Sequence, residues 1–350
     1  MTAITPSQGT TLGGTAVTIS GVNFSAGATV TLGGASAASA QVVDATTIKA
    51  VTGVHVAGTV DVTVVIGADR ATLPSAFTYV IPQPSTNAPP VISSIVARGS
   101  RTNEPAQFAD VDEEITVTAT VTDDVTPVSS LTFDWSSDVG TFTGTGASVR
   151  WRSPHTAGLA TLKLTVTEKY TDVDSQGLPV QKQNQVQQTS LVDVHDSIGE
   201  IGRMSRQFLL DFSDSSIKDA SYVVRDFMMG CGIGGTGKQN EQKDVQENRD
   251  TFWIDKSDVS TSPRVDVDFG SSRIIFGDRL RFADAYTAVD VTWTSHCIAV
   301  NASKGCTYVG RSSTVQGTDW VTAHYDPPTK RWWLCDSDFE QIAGTLKIMQ

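Results

Sequence analysis

"TPSQGTTLGGTAVTISGVNF", from Thr5 to Phe24, decides how the front of the chain folds. The stretch holds four glycines, a string of hydroxyl side chains and no charged residue. Two readings compete: a loop that cradles phosphate, or the turns and strands of a small β domain. A phosphate loop needs a helix N-terminus directly after its glycines. Here "TAVTIS" follows Gly14, with β-branched residues alternating at period two, which is a strand pattern. Gly13 and Gly14 stand just before that strand and Gly21 just after it. Such glycines supply positive φ or close backbone approach at turns. Phe24 and Phe77 are the large apolar anchors expected in a thin core.

Working outward, residues 1–80 carry only Asp44, Lys49, Asp61, Asp69 and Arg70 as charges. "ATVTLGG", "TIKAV" and "VDVTVVI" repeat the alternation at strand-and-turn spacing, which predicts a β-sandwich. The ordered run from "ITPSQGTTLGGTAVTISGVNF" through "VTLGG" to "SAFTYV" resembles the TIG (IPT) immunoglobulin-like module over residues 3–80.

"IPQPSTNAPP", residues 81–90, has four prolines in ten and reads as a semi-rigid linker. Strand candidates resume at "VISSIVARG" and continue through "EEITVTATVTD", "LTFDWSS", "ASVRWRS" and "ATLKLTVTEKY". They resemble an immunoglobulin-like domain of the polycystic-kidney-disease type over residues 91–196. With no cysteine in this segment, Trp135 is expected to carry the core. The Gln-rich "KYTDVDSQGLPVQKQNQVQQTS" reads as a long hairpin or a connector.

From Ile198 the periodicity changes. "RMSRQFLLDF" puts Met204, Phe208 and Phe212 on one helical face. "SSIKDASYVVRDFMM" predicts a second helix with Ile217, Ala220, Val224 and Phe227 as its stripe, and "EQKDVQENRDTFWI" a weaker third. Strand patterns follow, among them "SRIIFG", "VDVTWTSHC" and "RWWLCDS". Helices followed by a meander of strands resemble the nuclear-transport-factor-2-like (SnoaL-like) cone. The expected fold class is therefore multidomain: two all-β Ig-like sandwiches, 1–80 and 91–196, then an α+β domain, 197–350, with helices packed on a curved antiparallel sheet.

The net charge of −12 argues against nucleic acid and anionic membrane surfaces. No apolar run is long enough to span a bilayer. The N-terminus lacks a basic and apolar leader. Export is nevertheless the favoured expectation, with the leader removed or lying outside this sequence, because the domain style suits the cell exterior. Cys231, Cys297, Cys306 and Cys335 all fall in the last third. Oxidised, they allow three pairings; Cys297 with Cys306 across a hairpin would leave Cys231 with Cys335. Four buried thiols in a reducing compartment is the alternative.

Chemistry-bearing motifs are few. "GIGGTGK", Gly232–Lys238, satisfies the letters of a P-loop, but Gln239 stands where a hydroxyl must hold magnesium. It therefore reads as glycines in a loop between helices. Nine acidic residues and no Lys or Arg lie between Glu104 and Asp138. Asp110, Asp112, Asp123 and Asp124 are calcium candidates, although the strand between the two pairs spans about 25 Å and forbids one shared ion. The other reading is a solvated acidic edge. Asp226, Asp290, His296, His324 and Asp336 are the polar groups an enzyme would draw on. Parity in "VDVTWTSHC" puts Val289, Val291, Trp293 and Cys297 on one face and Asp290 with His296 on the other. No nucleophile or metal constellation emerges, so no enzymatic activity and no cofactor other than calcium is expected. Adjacent Trp332 and Trp333 must face opposite ways in a strand, which makes them the ligand-contact candidates. The expected function is an extracellular or cell-surface binding or structural protein, an Ig-like rod presenting its C-terminal domain to a protein or glycan. The alternatives are a self-associating fibre subunit and a small-molecule enzyme.

Overall fold

The computed structural model describes residues 1–82, 87–276 and 279–349. Residues 83–86 of the Pro-rich linker, and Gly277 at the end of "SRIIFG", lie outside the described residues. The chain is mostly β, arranged in several sheets. It divides into two compact units. One comprises Met1–Ser93, Val121–Asp134 and Thr165–Gln187; the other comprises Ser94–Thr120, Trp135–Leu164 and Gln188–Gln350.

In the first unit, "AVTIS" forms the strand Ala16–Ser20, central in a four-stranded sheet ordered Ala3–Thr5, Ala16–Ser20, Thr47–Val51, Ser39–Asp44. A five-stranded sheet runs Gln8–Thr10, Asp69–Val80, Gly58–Ile66, Thr29–Leu32, Ala35–Ser36. Alternation sends Val17, Ile19, Leu32, Ile48, Val62 and Phe77 into one core, with Phe24 closing it. Gly13 and Gly14 both have φ of 74°. A Cβ on Gly21 would strike the Phe24 ring at 2.5 Å, so that glycine admits the anchor. The Gln-rich stretch, residues 169–190, lies in a hairpin made by strands Gly158–Val173 and Pro179–His195, of which Thr165–Gln187 belongs to this unit. Asp174 closes its turn, accepting from the Gln176 and Leu178 amides at 2.9 and 2.8 Å.

In the second unit, Trp151 carries the packing expected of Trp135. Strand Ser148–Arg152 turns Val149 and Trp151 inward, and Trp151 is fully buried with its indole N–H donating to Ser137 Oγ at 3.3 Å. Trp135 is only half-buried and donates to the Gly146 carbonyl at 3.0 Å. Both tryptophans lie on alternating strands, and composition alone does not say which face looks inward.

The described residues of 197–349 form three α-helices and a six-stranded antiparallel sheet. Helix α1 is Ser197–Ser213, α2 Ala220–Val223 and α3 Gly237–Thr251. The main sheet path runs Phe252–Val259, Arg279–Cys297, Ser312–Asp326, Arg331–Gln341; Arg264–Phe276 pairs with Arg279–Cys297, and Lys347–Met349 with Ser312–Asp326. Ile201, Phe208 and Leu209 of α1 share a core with Val289, Val321, Ala323, Trp332 and Leu334 of the sheet. Phe108 belongs to this same core, edge-on to Phe269 and Tyr325.

The expected second helix is mostly absent. Asp214 accepts from the Ser216 amide and Asp219 from the Ser221 amide, both at 2.9 Å. These local bonds form turns in place of helix, leaving only the four residues of α2. Ala220, Val224 and Phe227 still reach the core, with Ile217 packed against it.

Candidate functional site

Helix α3 is polar along most of its length, yet it has an inward stripe at a spacing of four: Gly237, Glu241, Val245 and Arg249 are buried. That spacing places all four on one face. Arg249 reaches the C-terminal end of α1. Its guanidinium donates to the carbonyls of Asp211 and Phe212, each at 2.7 Å, and of Ile217 at 2.9 Å. The first two are carbonyls left over where the helix stops, and Ile217 lies in the turn beyond it.

Between α1, α3 and the sheet lies a cavity of about 510 Å³, in the range that holds a small molecule. One wall is a run of aromatic rings: Phe208 is 6.2 Å from Phe212, Phe212 is 5.4 Å from Trp293, and Trp293 is 4.9 Å from Phe339, centroid to centroid. The Trp293 indole N–H donates to Ser213 Oγ at 2.7 Å, which fixes the ring. Gly317 makes room for Phe339, since a Cβ there would meet that ring at 2.4 Å.

The cavity also carries acid. Asp319 alternates with Val321 and Ala323 along Ser312–Asp326 and so points inward with them; it is 2% exposed. Burial, helped by the charge of nearby Asp338, raises its carboxyl to about 7 against the pull of the Ser337 hydroxyl. Glu241 is 7% exposed and its carboxyl is held well above the ordinary range, first by burial and then by the charges of Asp319 and Asp336. Ser337 joins the two: its amide donates to Glu241 Oε1 at 2.9 Å and its hydroxyl lies 3.4 Å from Asp319 Oδ1. Neither Glu241 nor Asp319 stood out by motif. The available signal was parity, an acid at the inward register of "TDWVTAHY" and another on the helical stripe.

The calcium candidates do not converge. Asp110 accepts from Arg101 at 2.7 Å through Oδ2 and from the Ser197 amide at 3.1 Å through Oδ1. Asp112 pairs with His155 at 2.5 Å. Asp123 caps a turn, accepting from the Val125 and Thr126 amides, and Asp124 accepts from the Ala88 amide at 3.5 Å. Among the described residues no group of three potential ligands gathers around a metal position.

Trp332 is fully buried and donates to Ser197 Oγ at 2.9 Å, so it is a core residue and not a surface contact. Trp333 is half-buried on the opposite face, with the Arg331 guanidinium 4.2 Å over its ring. The polar candidates have other partners. Arg264 forks Asp290 at 2.7 and 3.1 Å and pulls its carboxyl down to about 2. Arg331 holds Asp226, Asp255 meets His296 and Asp284 meets His324. Asp336 accepts the Ile233 amide at 3.0 Å. Within "GIGGTGK" the Ile233 amide thus meets the protein's own carboxylate, while the amides of Gly235, Thr236 and Gly237 bond to backbone carbonyls. Gly237 packs so tightly that a Cβ would lie 2.0 Å from the Cys335 carbonyl. The cysteines are joined as Cys231–Cys335 and Cys297–Cys306.

Residues 1–79 match the family model of the IPT/TIG domain. No curated protein matches the chain. Among solved structures, the full extracellular region of plexin A4 (domains 1 to 10) is 18% identical over 45% of this chain, with a TM-score of 0.21. The chain spans 13% of that region. The D0–D1 domain of intimin is 14% identical over 53% of this chain and 95% of its own length, with a TM-score of 0.16. No helix among the described residues is long and apolar enough to cross a membrane.

Proposed function

We propose that this chain is an extracellular or cell-surface binding protein whose Ig-like modules serve as scaffold and whose C-terminal part, a cone-like α+β domain, takes a small ligand in the cavity between α1, α3 and the sheet. The observation that carries the reading is the cavity itself, about 510 Å³ and lined by both aromatic rings and two buried carboxyls. Sites of that size with few convergent polar groups are where small molecules bind. The IPT/TIG match and the two disulfides support the extracellular setting, since disulfides persist in oxidising compartments. The test is thermal shift of wild type and Val315→Trp against a panel of small amphipathic compounds. Val315 lines the cavity, and tryptophan there would fill it. Compounds that stabilise wild type alone support the reading; compounds that act equally on both proteins, or on neither, remove the cavity as the site.

One observation favours a second reading. A carboxyl held at about 7 inside a cavity is matched to proton transfer at neutral pH. An enzyme would lose turnover on Asp319→Asn while keeping ligand affinity. Ligand bound and recovered unchanged by the wild type leaves recognition as the function.

A further inference from the structure

We propose that the ligand of this cavity is a small organic cation, an ammonium head on an apolar body. The inference rests on the cavity being the ligand site and names the chemical class that fits it.

The first ground is missing charge. Glu241 and Asp319 are more than nine-tenths buried. Each contacts Ser337, and Asp319 also meets the amides of Trp320 and Asp338; no Lys, Arg or His nitrogen among the described residues is ion-paired to either carboxyl. The cations that line the cavity are committed elsewhere. Arg249 serves the carbonyls at the end of α1. Lys304 pairs with Asp244 at 3.3 Å and Glu247 at 3.2 Å. Arg311 donates to the Gly305 carbonyl and to Thr307. Burying acids without a counter-charge costs stability. A ligand that brings the charge offsets that cost, whereas a neutral polyol leaves it in place.

The second ground is independent: the wall beside these acids is aromatic. Phe212, Trp293 and Phe339 follow one another at 5.4 and 4.9 Å. Aromatic faces attract cations and accept apolar bodies, most strongly out of water. An ammonium group in a cavity lined by such rings and two carboxyls meets complementary charge from both, and Phe339 stands opposite Asp319 on the adjacent strand.

The test is isothermal titration calorimetry of the full chain with phenethylamine and phenethyl alcohol, which share a body and differ in the head. The amine is expected to bind at least about tenfold more tightly. Glu241→Gln and Asp319→Asn are each expected to reduce that preference, and the double variant to lose it. At pH 6, in two buffers of different ionisation heat, the amine should release about one proton on binding and the alcohol none. Asp244, Asp336, Asp338, Arg249, Lys304 and Arg311 are the other charged groups around the two acids, and the neutral probe controls for their response. Should a variant fail to fold, proton release by the wild type decides the matter. Equal affinity for both probes, without proton release, overturns the cation and leaves the cavity as a ligand site. Binding of neither probe overturns both.

Discussion

Asp319 shows how one buried residue ties stability to pH. Its carboxyl is raised to about 7, so the folded protein keeps a proton that the unfolded chain gives up near pH 4. The sign follows directly. The group's relative stabilisation is fully present below the unfolded value and is lost as pH rises through 7. Asp319→Asn removes the titration, so chemical denaturation should find the variant more stable than wild type at pH 8, by about 2–4 kcal/mol, with the gap closing toward pH 4. Wild type matching the variant at both pH values would show that the acid is solvated. Gly317 is a second residue-scale case. A methyl group there meets the Phe339 ring and the Glu340 carbonyl, both at 2.4 Å. Gly317→Ala should cost about 1–3 kcal/mol by overpacking and should displace the aromatic wall, visible as a shift in Trp293 emission. At this scale part of the site was legible. Strand parity put Val289, Val291 and Trp293 on one face and Asp290 with His296 on the other, and the first two are buried, Trp293 lines the cavity and Asp290 meets Arg264. Glu241 and Asp319 were not legible, because an isolated acid at an inward register resembles any surface acid until its neighbours are known.

Helix α3 is the element that the sequence hides best. Its expected span began at Glu241 and ran to Ile254, but the helix is Gly237–Thr251 and Phe252 already starts a strand. Apolar periodicity is the main signal for a buried helix face, and here that face is glycine, acid, valine and base. Its strongest attachment is Arg249. Three carbonyls at and beyond the end of α1 are satisfied by one planar fork, and burial pulls the guanidinium below its ordinary value. Lysine cannot reproduce that fork. Arg249→Lys and Arg249→Met should therefore both lose about 2–4 kcal/mol in urea unfolding, because buried carbonyls go unpaired in each. Recovery of wild-type stability by lysine would show that charge alone mattered. The β elements were more legible. "TAVTIS", "TIKAV" and "VDVTVVI" become Ala16–Ser20, Thr47–Val51 and part of Gly58–Ile66. Alternation at period two is written by local residues, while the choice between Trp135 and Trp151 for the core depends on which face meets the rest of the unit.

At the scale of the whole molecule, the two disulfides differ in what they constrain. Cys231–Cys335 closes a sequence separation of 104, which takes in α3 and nearly all of the C-terminal sheet. Cys297–Cys306 closes a separation of 9 within one connection. A cross-link restricts the unfolded chain more as its loop grows, with a logarithmic dependence on length. The long loop should therefore stabilise by about 2 kcal/mol more than the short one. It also fixes the glycine loop Gly232–Gly237 against Cys335, so the lost cross-link frees the start of α3 and with it Glu241. Paired serine variants separate the two. Cys231→Ser with Cys335→Ser should lower the denaturation midpoint more and weaken small-ligand binding in the cavity. Cys297→Ser with Cys306→Ser should leave binding nearer to wild type. Reduction of the native protein should then follow the first pair, and a protein that keeps both its midpoint and its cavity after reduction would remove the main physical reason for placing it in an oxidising compartment.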